Sequence, residues 1–243
     1  MKNFNNYDKC RNYLTYSTTS LSAYINLGLL SIREIYYTVL KELGENSGLI
    51  TELYWRDFYY NILYHFPDNI GNAHQIKYNQ LNWENNPDYI NKWKNGFTGF
   101  PIVDACMRQL NETGYMHNRG RMIVASFLTK DLLCDWQIGE QYFATKLVDY
   151  NMSANNGGWQ WAAGTGTDSQ PYYRIFNPWK QSKDFDSNCE YIKKWIPELK
   201  NVENKDIHNW NEKYSNYDID YPKPIVDHSI QRDITLKIYK SIK

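Results

Sequence analysis

Apolar residues recur along this chain mostly at helical spacing. After the polar "STTS" of 17–20, Leu21, Tyr24, Ile25 and Leu29 repeat every three or four positions. This predicts a helix within 17–43, capped by Ser20 or Ser22. Residues 50–66, "ITELYWRDFYYNILYHF", predict a strong amphipathic helix stopped by Pro67. Residues 76–96 are polar and Asn-rich, carry Trp83 and Trp93, and read as a surface connection with one short helix. "FTGFPIVDACMRQL" starts a helix near Pro101, with Ile102, Val103, Cys106 and Leu110 as its buried stripe and Gly114 at its end. A helix over 118–135 turns Met122, Ile123, Phe127, Leu128 and Leu132 inward, and another follows near 139–148. Beyond 175 the chain is richer in Pro, Asp and Lys, and its elements shorten. No alternating strand pattern of useful length and no internal repeat appears. The expected fold is mostly α: one helical domain over 1–243, with 1–16 as a linker remnant.

Composition narrows the function. The 243 residues carry 27 basic and 27 acidic side chains, so a nucleic-acid partner must be met by a local basic face. Cys10, Cys106, Cys134 and Cys189 form no CxxC pair and no zinc spacing, which favours a reducing, intracellular setting. The start has no signal-peptide core, and no run of 18 apolar residues exists to span a membrane. Nine tryptophans exceed what the Asn-, Ile-, Lys- and Tyr-rich composition explains.

Five stretches carry candidate chemistry. In "NNGGWQWAAGTGTD" (155–168), Asn155–Gly158 read as a turn whose backbone can approach a ligand. Trp159 and Trp161, two apart, point to different sides of a helix; on this stretch alone, two core indoles are the plainer reading. "LVDYNMSANN" sets Asp149, Asn151 and Asn155 just ahead, donors and acceptors suited to a polar heterocycle edge. In "GYMHNRGRMIVASF", Asn118 and Met122 share a helix face, and Arg121 is a natural partner for Asp149. In "TELYWRDFYY", Glu52, Trp55 and Arg56 share a face; a plain surface ion pair there is worth only about 0.3–0.5 kcal/mol. "TTSLS" (18–22) offers hydroxyls and amides for a phosphate, a weak signal alone.

Taken in order, "TTSLSAYINLGLLS", "ELYWRDFYYNILYHFP", "TGFPIVDACMRQL", "GYMHNRGRMIVASFLTKDLLCDW" and "ANNGGWQWAAGTGTD" resemble the flavin-binding half of the photolyase/cryptochrome family. The resemblance is strongest to class I cyclobutane pyrimidine dimer photolyases and runs over nearly the whole chain. It implies a helical domain holding FAD, and light-driven electron transfer from fully reduced FAD to a dimer flipped out of UV-damaged DNA. By position, Thr18, Thr19, Ser20, Leu21 and Ser22 would hold the FAD phosphates, with Tyr7 nearby. Arg121 and Asp149 would pair beside the flavin, Asp149, Tyr150 and Asn151 would line its edge, and Asn155 would face its N5 atom. Trp55, also placed beside the cofactor, and Trp161 would pack against the dimer. Glu52 would hydrogen-bond a thymine carbonyl, and Asn118 and Met122 would touch the lesion. Arg11, Arg56, Arg119 and Gln181 would contact DNA. Trp159, Trp136 and Trp83 would relay electrons to the flavin. Glu52, Asn155 and Trp161 are expected around one cavity.

Asn118 and Met122 stand where (6-4) photolyases usually have histidines, and single-strand-preferring cryptochromes usually have glutamine at the place of Met122. The resemblance does not extend to the family's N-terminal α/β antenna domain, so the chain is expected to be one half of a split enzyme with a separate α/β chain as partner, a degenerate remnant or a truncated form. Asn151 replaces the usual aspartate, and Ser20 a frequent arginine. A cryptochrome-like photoreceptor and an inactive remnant are the alternative readings.

Overall fold

The computed structural model describes residues 4–242, and its helices begin where the sequence supplies caps. Four short or medium helices open the chain: α1 (Tyr7–Cys10), α2 (Ser22–Asn26), α3 (Ile32–Leu43) and α4 (Gly48–His65). Ser47 accepts a hydrogen bond from Leu49 N at 3.3 Å and starts α4. Helix α5 (Pro87–Asn95) follows Asn86, whose side chain accepts from Asp88 N at 2.9 Å, with Pro87 in the first turn. Next come α6 (Pro101–Thr113), α7 (Asn118–Ser126), α8 (Trp136–Lys146) and α9 (Met152–Ala163). Asp135 caps α8 and Asn151 caps α9. Gly114, at φ +67°, closes α6 in the left-handed region that glycine adopts cheaply. The remainder forms α10 (Pro178–Phe185), α11 (Glu190–Trp195), α12 (Asn204–Ile207), α13 (Trp210–Lys213) and α14 (His228–Ser241). No strand occurs among the described residues.

The main core lies among α5 to α11. Ile102, Val103, Cys106 and Leu110 are buried as the α6 stripe predicts, against Ile123, Phe127 and Leu128. Each such side chain stabilises the fold by about 1.5–3 kcal/mol. Asp104 is fully buried yet satisfied: it accepts from Thr98 N and Oγ1, Gly99 N and Tyr221 Oη at 2.6–2.9 Å. A smaller core gathers Tyr7, Ile35, Val39, Leu49 and Ile50, tying α1 and α3 to the start of α4.

Several sequence expectations need correction. The 17–43 helix is broken: α2 ends at Asn26, Gly28 adopts φ +71°, and α3 restarts after Ser31. Neither Ser20 nor Ser22 caps α2; Leu21 occupies that position without a side-chain bond. Helix α4 does not keep its apolar residues on one buried face: only Gly48, Leu49 and Ile50 are buried, and Tyr54 and Tyr64 face solvent. Trp93 is no surface residue; α5 buries it completely, and its Nε1 donates to Val124 O at 3.1 Å. Asn155–Gly158 are helical, inside α9, and the 118–135 helix passes into a π-turn at Phe127–Asp131. Within the expected linker segment, residues 1–3 lie outside the described residues, while Tyr7 and Leu14 are buried.

Candidate cofactor and lesion site

Helix α4 presents Glu52, Trp55 and Arg56 on adjoining turns. Glu52 is ion-paired with Arg11, which follows α1. Burial pushes the Glu52 carboxyl above its usual pKa, and Arg11 only partly offsets this. Tyr7 lies in the same cluster; burial, then Glu52, drives its hydroxyl up to about 12. The Trp55 indole meets Phe58 edge-on at 5.5 Å and lies nearly parallel to Tyr59 at 6.2 Å. Arg56 pairs with Asp57 at 3.0 Å and sits 4.3 Å over the Tyr60 ring.

The second wall is the start of α7. His117 caps it, accepting from Arg119 N at 3.1 Å. Asn118 Nδ2 reaches Met122 Sδ at 3.7 Å, so both present one face. Arg119 donates to Asn12 Oδ1 at 2.6 Å, lies 4.3 Å over Phe185, and keeps a buried Nε without partner. Burial lowers its pKa first, then the charges of Arg11 and Arg174. Arg121 Nε donates to Met116 O at 2.8 Å, and its Nη2 reaches both Asp149 oxygens at 3.0 and 2.8 Å.

The hydroxyl loop comes to this pair through Tyr115. Its ring lies 5.8 Å from the Arg121 guanidinium, and its hydroxyl is 3.4 Å from Thr18 Oγ1. One helix on, Asn26 donates to Tyr150 O at 2.5 Å, and Asn151 Nδ2 donates to Asn26 Oδ1 at 3.2 Å and to the Tyr60 hydroxyl. Thr19 and Leu21 are half-buried beside Thr18, Ser22 is exposed, and Ser20 holds φ +52°.

Helix α9 supplies the floor. Asn155 is buried and donates to Glu140 O at 3.0 Å. Trp159 is buried on one side, and Trp161 is half-buried on the other. A Cβ on Gly139 would lie 2.1 Å from the Trp159 ring, so the indole rests on α8 one turn after the buried Trp136. Trp83 is half-buried, and Glu84 N donates to Leu133 O at 2.8 Å, bringing that segment toward the start of α8. Gly157 performs the same service for α4: a Cβ there would meet Tyr59 at 2.1 Å. Gln181 on α10 is half-buried, with Oε1 unpartnered.

Two cavities mark the α4–α9 junction. One of about 10 Å³ is lined by Tyr59, Asn69, His74, Asn156 and Gln160 among others. An open cleft of about 580 Å³ lies between Thr51, Tyr54, Trp55, Phe58 and Thr167–Asp168. Neither is lined by Glu52, Asn155 or Trp161. Glu52 turns to Arg11 and Asn155 to α8, so these cavities do not unite the three residues expected around one pocket.

The donor set nevertheless fits a dinucleotide. Hydroxyls of the 18–22 loop come to the Arg121–Asp149 pair through Tyr115, and Asn151 joins Asn26 of α2; hydroxyls suit phosphates, and the ion pair and amide suit a polar ring edge. Sequence reasoning missed Asn26, Tyr60, Tyr115, Arg174 and Glu140. Tyr115 sits inside a stretch already singled out, and Asn26 is one turn after Ser22; nothing in the sequence marks Glu140.

Comparison with known proteins places the chain among relatives. The family model for the FAD binding domain of DNA photolyase matches residues 49–241. A deoxyribodipyrimidine photo-lyase of Alkalihalophilus pseudofirmus is 51% identical over 92% of this chain and 49% of its own length. That of Escherichia coli is 46% identical over 93% of this chain and 50% of its own. The chain spans about half the length of the curated relatives it matches. Among solved structures, an archaeal photolyase from Sulfolobus tokodaii with two FAD molecules superposes with TM-score 0.89 at 43% identity, over 96% of this chain and 53% of that one. A cryptochrome of Synechocystis superposes with TM-score 0.90 at 35% identity, over 98% and 52%. With the family model matching most of its length, the chain belongs to the family of the FAD binding domain of DNA photolyase.

Proposed function

We propose that this chain binds FAD between segment 18–26 and the Arg121–Asn155 wall and, with it, repairs cyclobutane pyrimidine dimers in UV-damaged DNA under blue light. The observation that carries this reading is the convergence of the hydroxyl loop on the Arg121–Asp149 pair through Tyr115. Fully reduced FAD, when bound, supplies the light-driven electron that opens the dimer. The chain's own residues bind, orient and exclude water. Thr18, Thr19, Ser20 and Ser22 hold the phosphates, with Leu21 packed beneath and Tyr7 nearby. Arg121, Asp149, Tyr150, Asn151 and Asn155 fix the ring edge.

On the lesion side, Trp55 and Trp161 offer flat faces, where stacking is worth roughly 1–3 kcal/mol per base. Asn118 and Met122 touch the dimer. Burial favours a proton on the Glu52 carboxyl while the Arg11 ion pair opposes it; once protonated, the group can donate to a thymine carbonyl. Arg11, Arg56, Arg119 and Gln181 would meet the DNA, Arg11 and Arg56 by exchanging Glu52 and Asp57 for phosphates. Trp159, Trp136 and Trp83 run from buried to half-buried and give electrons a route inward. An α/β partner, on a separate chain, would cover the exposed Leu27, Leu29 and Tyr37. Co-purification of such a chain supports this; a monodisperse monomer contradicts it.

Titration with FAD tests the cofactor reading: saturable 1:1 quenching of flavin fluorescence is expected, weakened by Asp149→Ala. The similarity to a cryptochrome favours photoreception without repair as the second reading. Loss of dimers under blue light separates the two.

A further inference from the structure

Helix α4 has a second working face beside the one that carries Glu52. Thr51, Tyr54, Trp55 and Phe58 follow i, i+3, i+4, i+7 spacing and face the loop at Thr167–Asp168 across the open cleft of about 580 Å³. That size lies within the roughly 300–1,000 Å³ of ligand clefts. Tyr54 is 59% exposed and Trp55 39%, so both rings are open to a guest. Asp168 completes the wall. It adopts φ +37°, is exposed, and its carboxylate takes part in no hydrogen bond or ion pair among the described residues. Trp55 belongs both to this cleft and to the face carrying Glu52, so the cleft opens directly beside the proposed lesion site.

We propose that this cleft takes the nucleobase next to the lesion on the damaged strand, and that Asp168 makes guanine the preferred one. This rests on the repair reading and extends it to the flanking base. Rings at Tyr54, Trp55 and Phe58 offer stacking that any base can use. An unpaired carboxylate adds selection, because it accepts only. Guanine presents two adjacent donors, N1–H and N2–H, which a carboxylate receives as a bidentate pair. Thymine presents one, N3–H, between two carbonyl oxygens that the carboxylate repels. A cationic guest would also suit a carboxylate among aromatic rings, but Trp55 places the cleft in line with a strand whose neighbouring base must lie nearby.

The test is equilibrium binding in the dark of the full chain to single-stranded oligonucleotides. One set carries a thymine dimer flanked on either side by G or by T; the other carries the same sequences undamaged. About tenfold tighter binding of the G-flanked strand is expected, within what a bidentate side-chain–base pair discriminates. Asp168→Asn keeps one acceptor and should reduce the ratio to about twofold. Tyr54→Leu should weaken both strands by roughly five- to tenfold through lost stacking. Dimer-dependent binding with no base preference, or a preference unchanged in Asp168→Asn, overturns the inference and leaves the repair reading standing. A guanine preference equally strong on the undamaged strands overturns the placement of the cleft beside the lesion. Absence of binding to any strand contradicts both.

Discussion

Arg121 holds Asp149 through a single guanidinium nitrogen, Nη2, which reaches both carboxylate oxygens at 3.0 and 2.8 Å. The Asp149 side chain is only 3% exposed, whereas Arg121 is 28% exposed and also donates from Nε to Met116 O. Removing the guanidinium therefore strands a buried carboxylate. Arg121→Ala should cost about 3–5 kcal/mol of unfolding free energy, measured by urea denaturation. The double variant Arg121→Met/Asp149→Leu should recover most of that stability while losing FAD binding, since a nonpolar pair fills the space but offers no polar edge.

Gly139 lets Trp159 lie flat on α8. Gly139→Ala would set a methyl 2.1–2.6 Å from three ring carbons of the indole, so the ring must move. A loss of about 1–3 kcal/mol or more is expected from overpacking, visible in the melting temperature. With FAD bound, slower flavin photoreduction should accompany it, because Trp159 is the proposed first relay. Gly158→Ala is the control, having nothing within 4 Å of the added atom.

His117 links the lesion wall to pH. Burial, reinforced by Arg119 and then Arg121, lowers its pKa to about 4 from the ordinary 6.5. The folded state thus resists a proton that the unfolded state accepts. Stability from this group is complete above pH 6.5 and is lost as pH falls toward 4, by up to about 3 kcal/mol. Asp131 and Asp186, raised by burial to about 6, act in the opposite sense over the same range. The comparison must therefore be with His117→Asn, which keeps the helix cap. Its stability should fall less than wild type between pH 6.5 and 4.5 by urea titration.

Asn151 caps α9, accepting from Ala154 N at 3.0 Å, while its amide donates to Asn26 and Tyr60. An aspartate there would keep the cap, lose both donations and add a charge near the proposed ring edge. Asn151→Asp should make bound FAD harder to reduce, by tens of millivolts on the scale of a single hydrogen bond or charge. Redox titration checks this, and an unchanged midpoint potential contradicts it.

Much of the helical order is legible in the sequence, because capping residues and apolar spacing agree from Pro101 onward. The errors have a common cause. "NNGG" carries turn chemistry, yet Asn156 donates to Glu140 Oε1 and Asn69 O, and Gly157 receives Tyr59; tertiary contacts outweigh local propensity. Trp93 looked exposed because its neighbours are polar, although Tyr89, Ile90 and Trp93 already mark an inward stripe. In the site, Arg121–Asp149 and Asn118–Met122 follow from side-chain chemistry and spacing. The pairing of Arg11 with Glu52, 41 residues apart, depends on how α1 docks against α4, and spacing carries no record of that.

The most direct test of the account is repair itself. The chain, loaded with FAD and chemically reduced, is mixed with an oligonucleotide holding one thymine dimer and exposed to blue light. The account predicts loss of the dimer in proportion to light and none in the dark, with the rate reduced several-fold in Glu52→Ala. Bound, reduced FAD with the dimer intact after illumination would contradict it.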